Sequence, residues 1–356
     1  MVLRLCAGFG LVLSAFLLAV LPASAAKAAG ERIVAIGDLH GDYDVWIDIA
    51  RAAGLVDAKN RWAGGTTILV QAGDIVDRGA DSLKIIRHLR KLEKEAAKAG
   101  GRVIVLLGNH EAMNMTGDLR YVDPGEYAAF RDAHSEALRQ AAWDANGKIF
   151  TDNYKAKHPE MTDKAIRDAW FAAMPLGMLE HQRAWAADGE IGRWAATLPA
   201  VVKIGDSLFV HGGISAAYAN VPMDEINRRA SAALKARDTA QTSIINDPMG
   251  PLWYRGLITR GALDQEGWTV AIATNPALAA TQRPSIDVEL DMALKGFDVK
   301  RLVIAHTPNL PGIDISHNGK LVRIDTGNSR YYKGQPSWLE ITGGQVTPHT
   351  AARTAH

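Results

Sequence analysis

The chain has 356 residues, of which 47% are hydrophobic and 22% are charged, and its formal net charge is +1. This balance excludes a disordered chain, a collagen-like repeat and a disulfide-built miniprotein, because each of these has a strongly biased composition. The near-zero charge also argues against nucleic acid as a partner, since binding to phosphate backbones requires a surplus of Lys and Arg on one face.

The N-terminal segment is typical of a secretory signal peptide. Arg4 precedes an uncharged run over residues 6–21, which is shorter than the roughly 20 residues needed to span a bilayer. Pro22 ends the run, and residues 23–25 have the small-x-small form of a signal peptidase site. We therefore predict that residues 1–25 are a signal peptide, that the protein is periplasmic or secreted, and that the cleaved chain has no stable membrane span. An uncleaved membrane anchor is the alternative.

The next segment repeats a strand, a turn and a helix. Apolar, β-rich runs cover residues 32–36, 67–71 and 103–107, and helix-forming stretches at 43–53 and 82–99 follow the first two. This alternation predicts βαβ units and a largely parallel sheet. Each run ends in a glycine-led polar cluster, and ligands bind beyond the carboxyl ends of the strands in such sheets. We therefore expect the three clusters to meet in space. They are residues 37–42, 73–79 and 108–111.

Residues 112–199 are instead rich in alanine and other helix formers. Asp123 and Thr162 are candidate helix caps, and Pro175 would end the second helix. We expect a helical insertion within one catalytic domain over residues 26–345. Its tryptophans either fasten the helices to the domain or form a cap over the active site. They are Trp143, Trp170, Trp185 and Trp194.

Strand patterns return after this insertion. The dipeptides Gly205-Asp206 and Asn318-Gly319 indicate two hairpins. Apolar strands also end at residues 211–213 (HGG) and 306–308 (HTP). The predicted strands of this half are residues 200–204, 208–210, 301–305, 313–317, 320–324 and 338–341. We expect residues 346–356 to be a loose polar tail.

The strand ends supply carboxylate, amide and imidazole donors but no thiolate. The candidate metal ligands are Asp38, His40, Asp74, Asn109, His211 and His306. Such donors suit Mn, Fe or Zn rather than a Cys-rich structural zinc site. Six ligands are too many for one four-coordinate ion, but they fit two ions that share a carboxylate, and two such ions can hold a bridging hydroxide. Histidines outside these strand ends, among them His88 and His181, we interpret as surface or structural residues.

In chain order, the motifs GDLHGD, GDIVDRG, GNHE, HGG and AHTP resemble those of the phosphoprotein phosphatases, within the calcineurin-like metallophosphoesterase superfamily. The segment GPLWYRG at residues 250–256 is most similar to the bacterial Shewanella-like branch. The resemblance spans residues 32–328, although the helical insertion matches only loosely. It implies an α/β fold, namely a four-layer α/β/β/α sandwich with two mixed sheets and a helical insertion.

The resemblance also implies a role for each candidate ligand. Asp38 and His40 would bind the first metal ion, and Asp74 would bridge both ions. The second site would be completed by Asn109, His211 and His306. The cofactor would be two divalent ions (Mn, Fe or Zn), with Mn preferred in vitro.

Four further residues carry over as catalytic and substrate-binding groups. His110 would donate a proton to the leaving group, and Asp77 would hold its ring. This suits an imidazole, which can give up a proton near neutral pH. Arg78 and Arg255 would grip the phosphate oxygens, because a guanidinium offers paired donors that match a phosphate. A surface cation on a turn is the alternative interpretation of Arg255.

One element departs from the eukaryotic Ser/Thr enzymes. Those enzymes have a Ser-Ala-Pro-Asn-Tyr element after the last histidine strand, whereas this chain has residues 307–311 (TPNLP) and later 325–328 (DTGN). The tyrosine that normally lines the site has no matched position. The departure argues against assignment as a Ser/Thr protein phosphatase.

The expected function is that of an exported two-metal phosphatase. It would hydrolyse phosphomonoesters by attack of a metal-bridging hydroxide, and its partners would be phosphoproteins (Tyr or Ser/Thr) or small phosphate esters. The alternatives are a hydrolase of nucleotides, diadenosine polyphosphates or other phosphodiesters, and a metal-dependent binding protein without turnover. A binding protein has no need of the proton donor His110.

Overall fold

The computed structural model describes residues 31–274, 278 and 282–354. The predicted signal peptide at residues 1–25 lies outside the described residues. Among the helices of the described part, none combines the length and the apolar character needed to cross a membrane.

Two five-stranded sheets form the centre of the molecule. Their strands in chain order are β1 (Ile33–Ile36), β2 (Ile68–Gln71), β3 (Arg102–Val105), β4 (Val201–Ile204), β5 (Ser207–Val210), β6 (Arg301–Ile304), β7 (Asp314–Ser316), β8 (Leu321–Arg323), β9 (Ser337–Thr342) and β10 (Gln345–Thr350). The first sheet has the order β10-β9-β1-β2-β3, and the second has the order β4-β5-β6-β8-β7.

Both sheets are mixed. Strands β1, β2 and β3 are parallel, while β9 and β10 add to the β1 edge in antiparallel pairs. In the second sheet β5, β6 and β8 are parallel, and the two predicted hairpins supply the antiparallel pairs β4–β5 and β7–β8. Both hairpin predictions are therefore confirmed.

Alternation along the strands produces the layers. In β1, Ile33 and Ala35 pack with residues of the second sheet such as Phe209, whereas Val34 and Ile36 pack on the opposite face with the helices. Because successive side chains of a strand point to opposite faces, each sheet buries one face against the other sheet and one under helices. The expected four-layer α/β/β/α sandwich is confirmed.

Helices cover the outer faces. Outside the insertion, the helices of the described residues are α1 (Tyr43–Ala52), α2 (Ser82–Lys98), α9 (Met223–Ala236), α10 (Ala262–Thr274) and α11 (Ile286–Gly296). Helices α1 and α2 follow β1 and β2 directly, as the alternation of strand and helix predicts. Asp42 caps α1 by accepting a hydrogen bond from the Val45 amide at 3.2 Å.

The insertion between β3 and β4 is helical, as expected. It contains α3 (Asn109–Thr116), α4 (Pro124–Phe130), α5 (Ser135–Lys155), α6 (Asp163–Ala173), α7 (Met178–Trp185) and α8 (Glu190–Ala195). Trp185 and Trp194 pack with the main core, and the rings of Trp143 and Trp170 meet between α5 and α6 with centroids 5.2 Å apart. These contacts favour the fastening role for the tryptophans.

The expectation of a loose polar tail at residues 346–356 is wrong for residues 346–350, which lie in strand β10. Strand β10 pairs with β9 along its whole length, from Gln345 opposite Thr342 to Thr350 opposite Ser337. Its polar side chains suit an edge strand, which faces water on one side. The two glycines before it, Gly343 and Gly344, have φ of 58° and 84° and make the tight turn into the strand.

Candidate active site

The polar clusters at the strand ends meet as predicted. Several of their residues adopt left-handed backbone conformations, which are costly for residues other than glycine and concentrate at functional sites. The positive-φ residues of this region are His40 (45°), Asp74 (54°), Asp77 (69°), Arg78 (66°) and His306 (64°). Gly108 permits a close approach of the backbone to Asp74, because a Cβ there would collide with the Asp74 carboxylate and amide.

Two buried groups of donors share the Asp74 carboxylate. The ligand atoms of His40, Asp74 and His110 lie within 4.8 Å of one another, and so do those of Asp74, His211 and His306. The neighbouring His211 and His110 hold the pKa of Asp74 well below its usual range, although burial alone would raise it. A carboxylate shared between two sets of imidazoles offers the oxygen and nitrogen donors that divalent metal ions bind.

Backbone carbonyls fix the orientation of two imidazoles. His40 Nδ1 lies 3.1 Å from the Val76 carbonyl, and His211 Nδ1 lies 2.8 Å from the Ala72 carbonyl. These bonds direct each Nε2 atom towards the centre. His211 Nε2 lies 3.0 Å from Asn109 Oδ1 and 3.3 Å from Asp74 Oδ2. Outer hydrogen bonds of this kind are what orient imidazole ligands in metal sites.

His306 has an unsatisfied ring nitrogen. Its side chain is buried, and its Nε2 atom has no hydrogen-bond partner. Burial, together with His211 and Arg255, lowers the pKa of His306 well below its usual range, so the ring is neutral and can bind a metal ion. An orphaned buried nitrogen facing a carboxylate group is costly unless a ligand satisfies it. The residues therefore fit divalent metal ions.

Asp38 joins the two sheets at this centre. Its Oδ1 accepts a hydrogen bond from the His306 amide at 3.3 Å, and its Oδ2 lies 3.8 Å from His40 Nε2. Burial, Asp325 and Asp74 raise the pKa of Asp38 well above its ordinary value. Asp325 is a site residue that the sequence analysis missed, although it follows an apolar run just as the other strand-end residues do.

His110 is held by a carboxylate and an amide. His110 Nδ1 lies 2.5 Å from Asp77 Oδ2, and Asn114 donates to Asp77 Oδ1 at 2.9 Å. Burial alone would lower the pKa of His110, but Asp74 and Asp77 raise it above its ordinary value. Its Nε2 atom lies 3.8 Å from Asp74 Oδ2 and so faces the centre. The sequence analysis missed Asn114, which lies one helical turn after His110 on α3.

Glu111 is a further residue whose role the motifs did not reveal. Its buried carboxylate accepts hydrogen bonds from the amides of Asp74 (3.0 Å), Ile75 (2.8 Å) and Gly108 (2.9 Å). It therefore ties the second strand-end cluster to the third and fixes the backbone from which Asp74 projects.

Arg255 lies against the last histidine. Its Nη1 donates to the His306 carbonyl and to Thr307 Oγ1, both at 3.0 Å. The structure thus places Arg255 beside the metal-donor groups and not on a solvated turn. All ten residues predicted for the site lie in this one set of contacts, and their chemical roles stay predictions.

Three tyrosines surround the second arginine. The guanidinium of Arg78 lies 4.7 Å from the ring centroid of Tyr121, 4.9 Å from that of Tyr331 and 5.2 Å from that of Tyr332. Tyr332 also reaches the donor groups, with its ring 5.5 Å from that of His40. Tyr332, on the loop after residues 325–328, is a residue of the site that the sequence analysis missed, because no motif indicates it.

The sequence comparisons agree with this geometry. The family model for calcineurin-like phosphoesterase matches residues 31–310. Shewanella-like protein phosphatase 2 of Arabidopsis thaliana is 34% identical over 319 residues, which cover 87% of this chain and 75% of that protein. Shewanella-like protein phosphatase 1 of Plasmodium berghei is 29% identical, over 88% of this chain and 73% of that protein.

The solved structures show the same fold. A cold-active protein-tyrosine phosphatase of a psychrophilic Shewanella species superposes with a TM-score of 0.60 at 24% identity, over 90% of this chain and 80% of that one. The donor set and the family match indicate divalent metal ions at the strand ends. The chain belongs to the calcineurin-like phosphoesterase family, in its Shewanella-like protein phosphatase branch, and is a metal-dependent phosphatase.

Proposed function

We propose that the enzyme hydrolyses phosphomonoesters with an aromatic alcohol, foremost phosphotyrosine in proteins, in addition to small aryl phosphates. The observation that carries this proposal is the set of tyrosines around Arg78. The side chains of Tyr331 and Tyr121 are 58% and 38% exposed, so they can stack against a bound aromatic ring while Arg78 binds its phosphate. The structurally similar Shewanella protein is a cold-active protein-tyrosine phosphatase, which supports the same choice.

Each group of site residues has a separate role in the proposed reaction. When bound, the divalent ions supply polarisation of the phosphoryl group and activation of water. Arg78 and Arg255 hold the phosphate oxygens and neutralise their charge. His110 Nε2 carries the proton that passes to the departing phenolic oxygen, and Asp77 stabilises the imidazolium before that transfer. A donor set of oxygen and nitrogen without sulfur suits manganese, which we propose as the metal in vitro.

The test is a comparison of substrates on enzyme reconstituted with Mn, Fe or Zn. We expect kcat/KM for phosphotyrosine peptides to exceed that for phosphoserine and phosphothreonine peptides, and both to exceed that for a bis-aryl phosphate or a dinucleoside polyphosphate. Tyr331→Ala should lose about 3- to 10-fold in kcat/KM for phosphotyrosine, since an aromatic pair is worth about 0.5–1.5 kcal/mol. Tyr154→Ala on α5 is the matched control. Faster hydrolysis of the diester, or a Tyr331→Ala variant with an unchanged preference, would contradict the proposal.

We also propose that the enzyme acts after export. The support is the sequence of residues 1–25, with its uncharged run and its small-x-small site. Mass spectrometry of the protein from its native host should find an N-terminus near Ala26. Cytosolic protein that retains Met1 would refute export.

A further inference from the structure

The loop between β2 and α2 carries both Asp77 and Arg78 in left-handed conformations. Their φ angles are 69° and 66°, in two consecutive residues that both have a side chain. Such a conformation persists only where the surroundings hold it. It matters here because Asp77 orients the ring of His110 while the next residue faces the phosphate. The question is which part of the molecule holds this backbone.

The helical insertion does so through both amides. The Asp77 amide donates to Glu126 Oε1 at 2.9 Å, and the Arg78 amide donates to the Tyr121 carbonyl at 2.9 Å. Both acceptors belong to the segment that leads into and begins α4. The insertion is therefore bonded to the two residues that control proton transfer and phosphate binding.

Glu126 is itself fixed on several sides. It is 2% exposed, and the hydroxyl of Ser82 at the start of α2 donates to the same oxygen that receives the Asp77 amide. Its other oxygen lies 3.8 Å from Nε2 of His181 on α7, a fully buried imidazole neither of whose nitrogens has a hydrogen-bond partner. A buried carboxyl group in contact with Asp77 is costly, and the mechanism above gives it no task.

We propose that Glu126 is a positioning residue for proton transfer, which acts through the Asp77 amide to hold the Asp77 carboxylate against His110. The inference rests on the proposed roles of His110 and Asp77. It gives the insertion a part in catalysis, through α4, that is separate from substrate choice. Outer-shell partners of this kind change activity by about 10- to 100-fold when they are lost.

Burial and the charge of Asp77 raise the pKa of Glu126 to about 8, so the group is a neutral carboxylic acid near neutral pH. A glutamine amide has the same shape and offers the same carbonyl acceptor to the Asp77 amide. Glu126→Gln is therefore the conservative variant that should retain function, whereas Glu126→Ala removes the acceptor.

The experiment measures log kcat/KM against the leaving-group pKa for a series of aryl phosphates. It compares the wild type, Glu126→Ala, Glu126→Gln, His110→Asn and the control Glu136→Ala, which removes an exposed glutamate from α5 of the same insertion. Metal content is measured for each protein. We expect Glu126→Ala to lose about 10- to 100-fold on the poorest leaving group and only a few-fold on nitrophenyl phosphate. Its plot should therefore be steeper, while Glu126→Gln and Glu136→Ala should follow the wild type.

The experiment distinguishes failure of the proposed role of Glu126 from failure of the proposed role of His110. A steep plot for His110→Asn together with a wild-type slope for Glu126→Ala would overturn the role of Glu126 and leave the proton donor in place. A wild-type slope for His110→Asn would remove the proposed proton donor itself. If Glu126→Ala does not fold, Glu126→Asp replaces it, because the shorter side chain withdraws the acceptor from the Asp77 amide but keeps the carboxyl group. A wild-type slope for Glu126→Asp with normal metal content would also overturn the inference.

Discussion

Asp74 belongs to both groups of metal donors, and its carboxylate contacts a residue from each of them, His110 and His211. Its Oδ1 accepts from the His110 amide at 3.0 Å, while Oδ2 lies 3.3 Å from His211 Nε2 and 3.8 Å from His110 Nε2. A change at Asp74 therefore disturbs both groups, whereas a change at His40 or His306 disturbs one. This asymmetry can be tested by metal content.

Asp74→Asn should lose most of its bound metal and reduce turnover more than substitution of any other predicted ligand. The physical reason is that an amide carries no charge to balance two divalent ions and binds them more weakly than a carboxylate. Metal stoichiometry and hydrolysis of nitrophenyl phosphate should be measured on the same sample. Asp77→Asn is the matched control and should keep its metal, because Asp77 belongs to neither donor group. An Asp74→Asn protein with two ions and a near-normal rate would exclude the shared-carboxylate arrangement.

At this scale, the sequence predicts the residues that do chemistry better than those that hold them. Eight of the ten predicted residues lie in glycine-containing motifs that follow apolar runs, and His306 follows an apolar run directly, so this pattern is visible in the sequence. Glu111 and Asn114 work by hydrogen bonds to backbone amides and to Asp77, and nothing in a helical sequence marks such partners. Tyr332 reaches the site by the path of a loop, which depends on the folded chain.

At the scale of elements, α4 is joined to the catalytic loop by a titratable group. The pKa of Glu126 is raised from 4.5 to about 8 by burial first and then by Asp77, against hydrogen bonds from the Ser82 hydroxyl and the Asp77 amide. Asp123, at the cap of α4, adds to the upward shift, and His181 on α7 faces the other oxygen. Between pH 4.5 and about 8, Glu126 therefore holds a proton in the folded state that it has lost in the unfolded chain. The free energy of unfolding therefore falls as the pH rises, by at most about 1.4 kcal/mol per pH unit.

Glu126→Gln should consequently gain stability relative to the wild type as the pH rises from about 4.5 to about 8. Urea unfolding at pH 5, 6.5 and 8 measures the difference between the two proteins. The lowered pKa of His181, about 4, also makes stability depend on pH, but this contribution is common to both proteins. Glu136→Gln, at an exposed position, should show a constant difference from the wild type. A constant difference for Glu126→Gln would mean that Glu126 is ionised in the folded protein.

Of the four edge strands, β10 is the one that the sequence analysis did not predict. The strands β1, β2, β5 and β6 are buried on both faces, so their apolar runs are continuous and easy to recognise. Strand β10 contains Gln, Thr, Pro and His, a composition that also suits a solvated tail. The Gly343-Gly344 dipeptide could have indicated this strand, because two consecutive glycines favour a hairpin turn and the residues on both sides can be extended.

At the scale of the whole molecule, the site depends on the packing of one sheet against the other. Asp38 at the end of β1 and His306 at the end of β6 are 268 residues apart, and the hydrogen bond between them crosses from sheet to sheet. The sequence predicts that strand ends carry ligands within one sheet. The alignment of the carboxyl ends of the two sheets depends on how the core packs. From the sequence, only the resemblance to a known family predicts this alignment.

The C-terminal segment also contributes to the site, because it contacts the loop that carries Tyr331 and Tyr332. After β10, Arg353 donates to the carbonyls of Asn328 at 2.6 Å and Gly334 at 2.7 Å, and these two residues bracket the loop that carries Tyr331 and Tyr332. Asn328 in turn donates from Nδ2 to the Asp38 carbonyl at 3.3 Å. A segment that the sequence presents as a tail therefore holds the tyrosines against Arg78.

Arg353→Ala should loosen the tyrosine loop without emptying the metal site. Since a hydrogen bond from an exposed charged group is worth about 1 kcal/mol, the free energy of unfolding should fall by about that amount. The larger effect should be on KM for phosphotyrosine peptides, with a rise of about 3- to 10-fold, because the mobile rings lose a stacking contact of about 0.5–1.5 kcal/mol. Arg228→Ala on α9, where the side chain is exposed and binds Glu225, is the matched control and should leave KM unchanged. Peptide kinetics, metal analysis and urea unfolding on both variants separate the outcomes. A normal KM with lowered stability would show that Arg353 fastens only β10, and the loop would then be held by Asn328 and its neighbours alone.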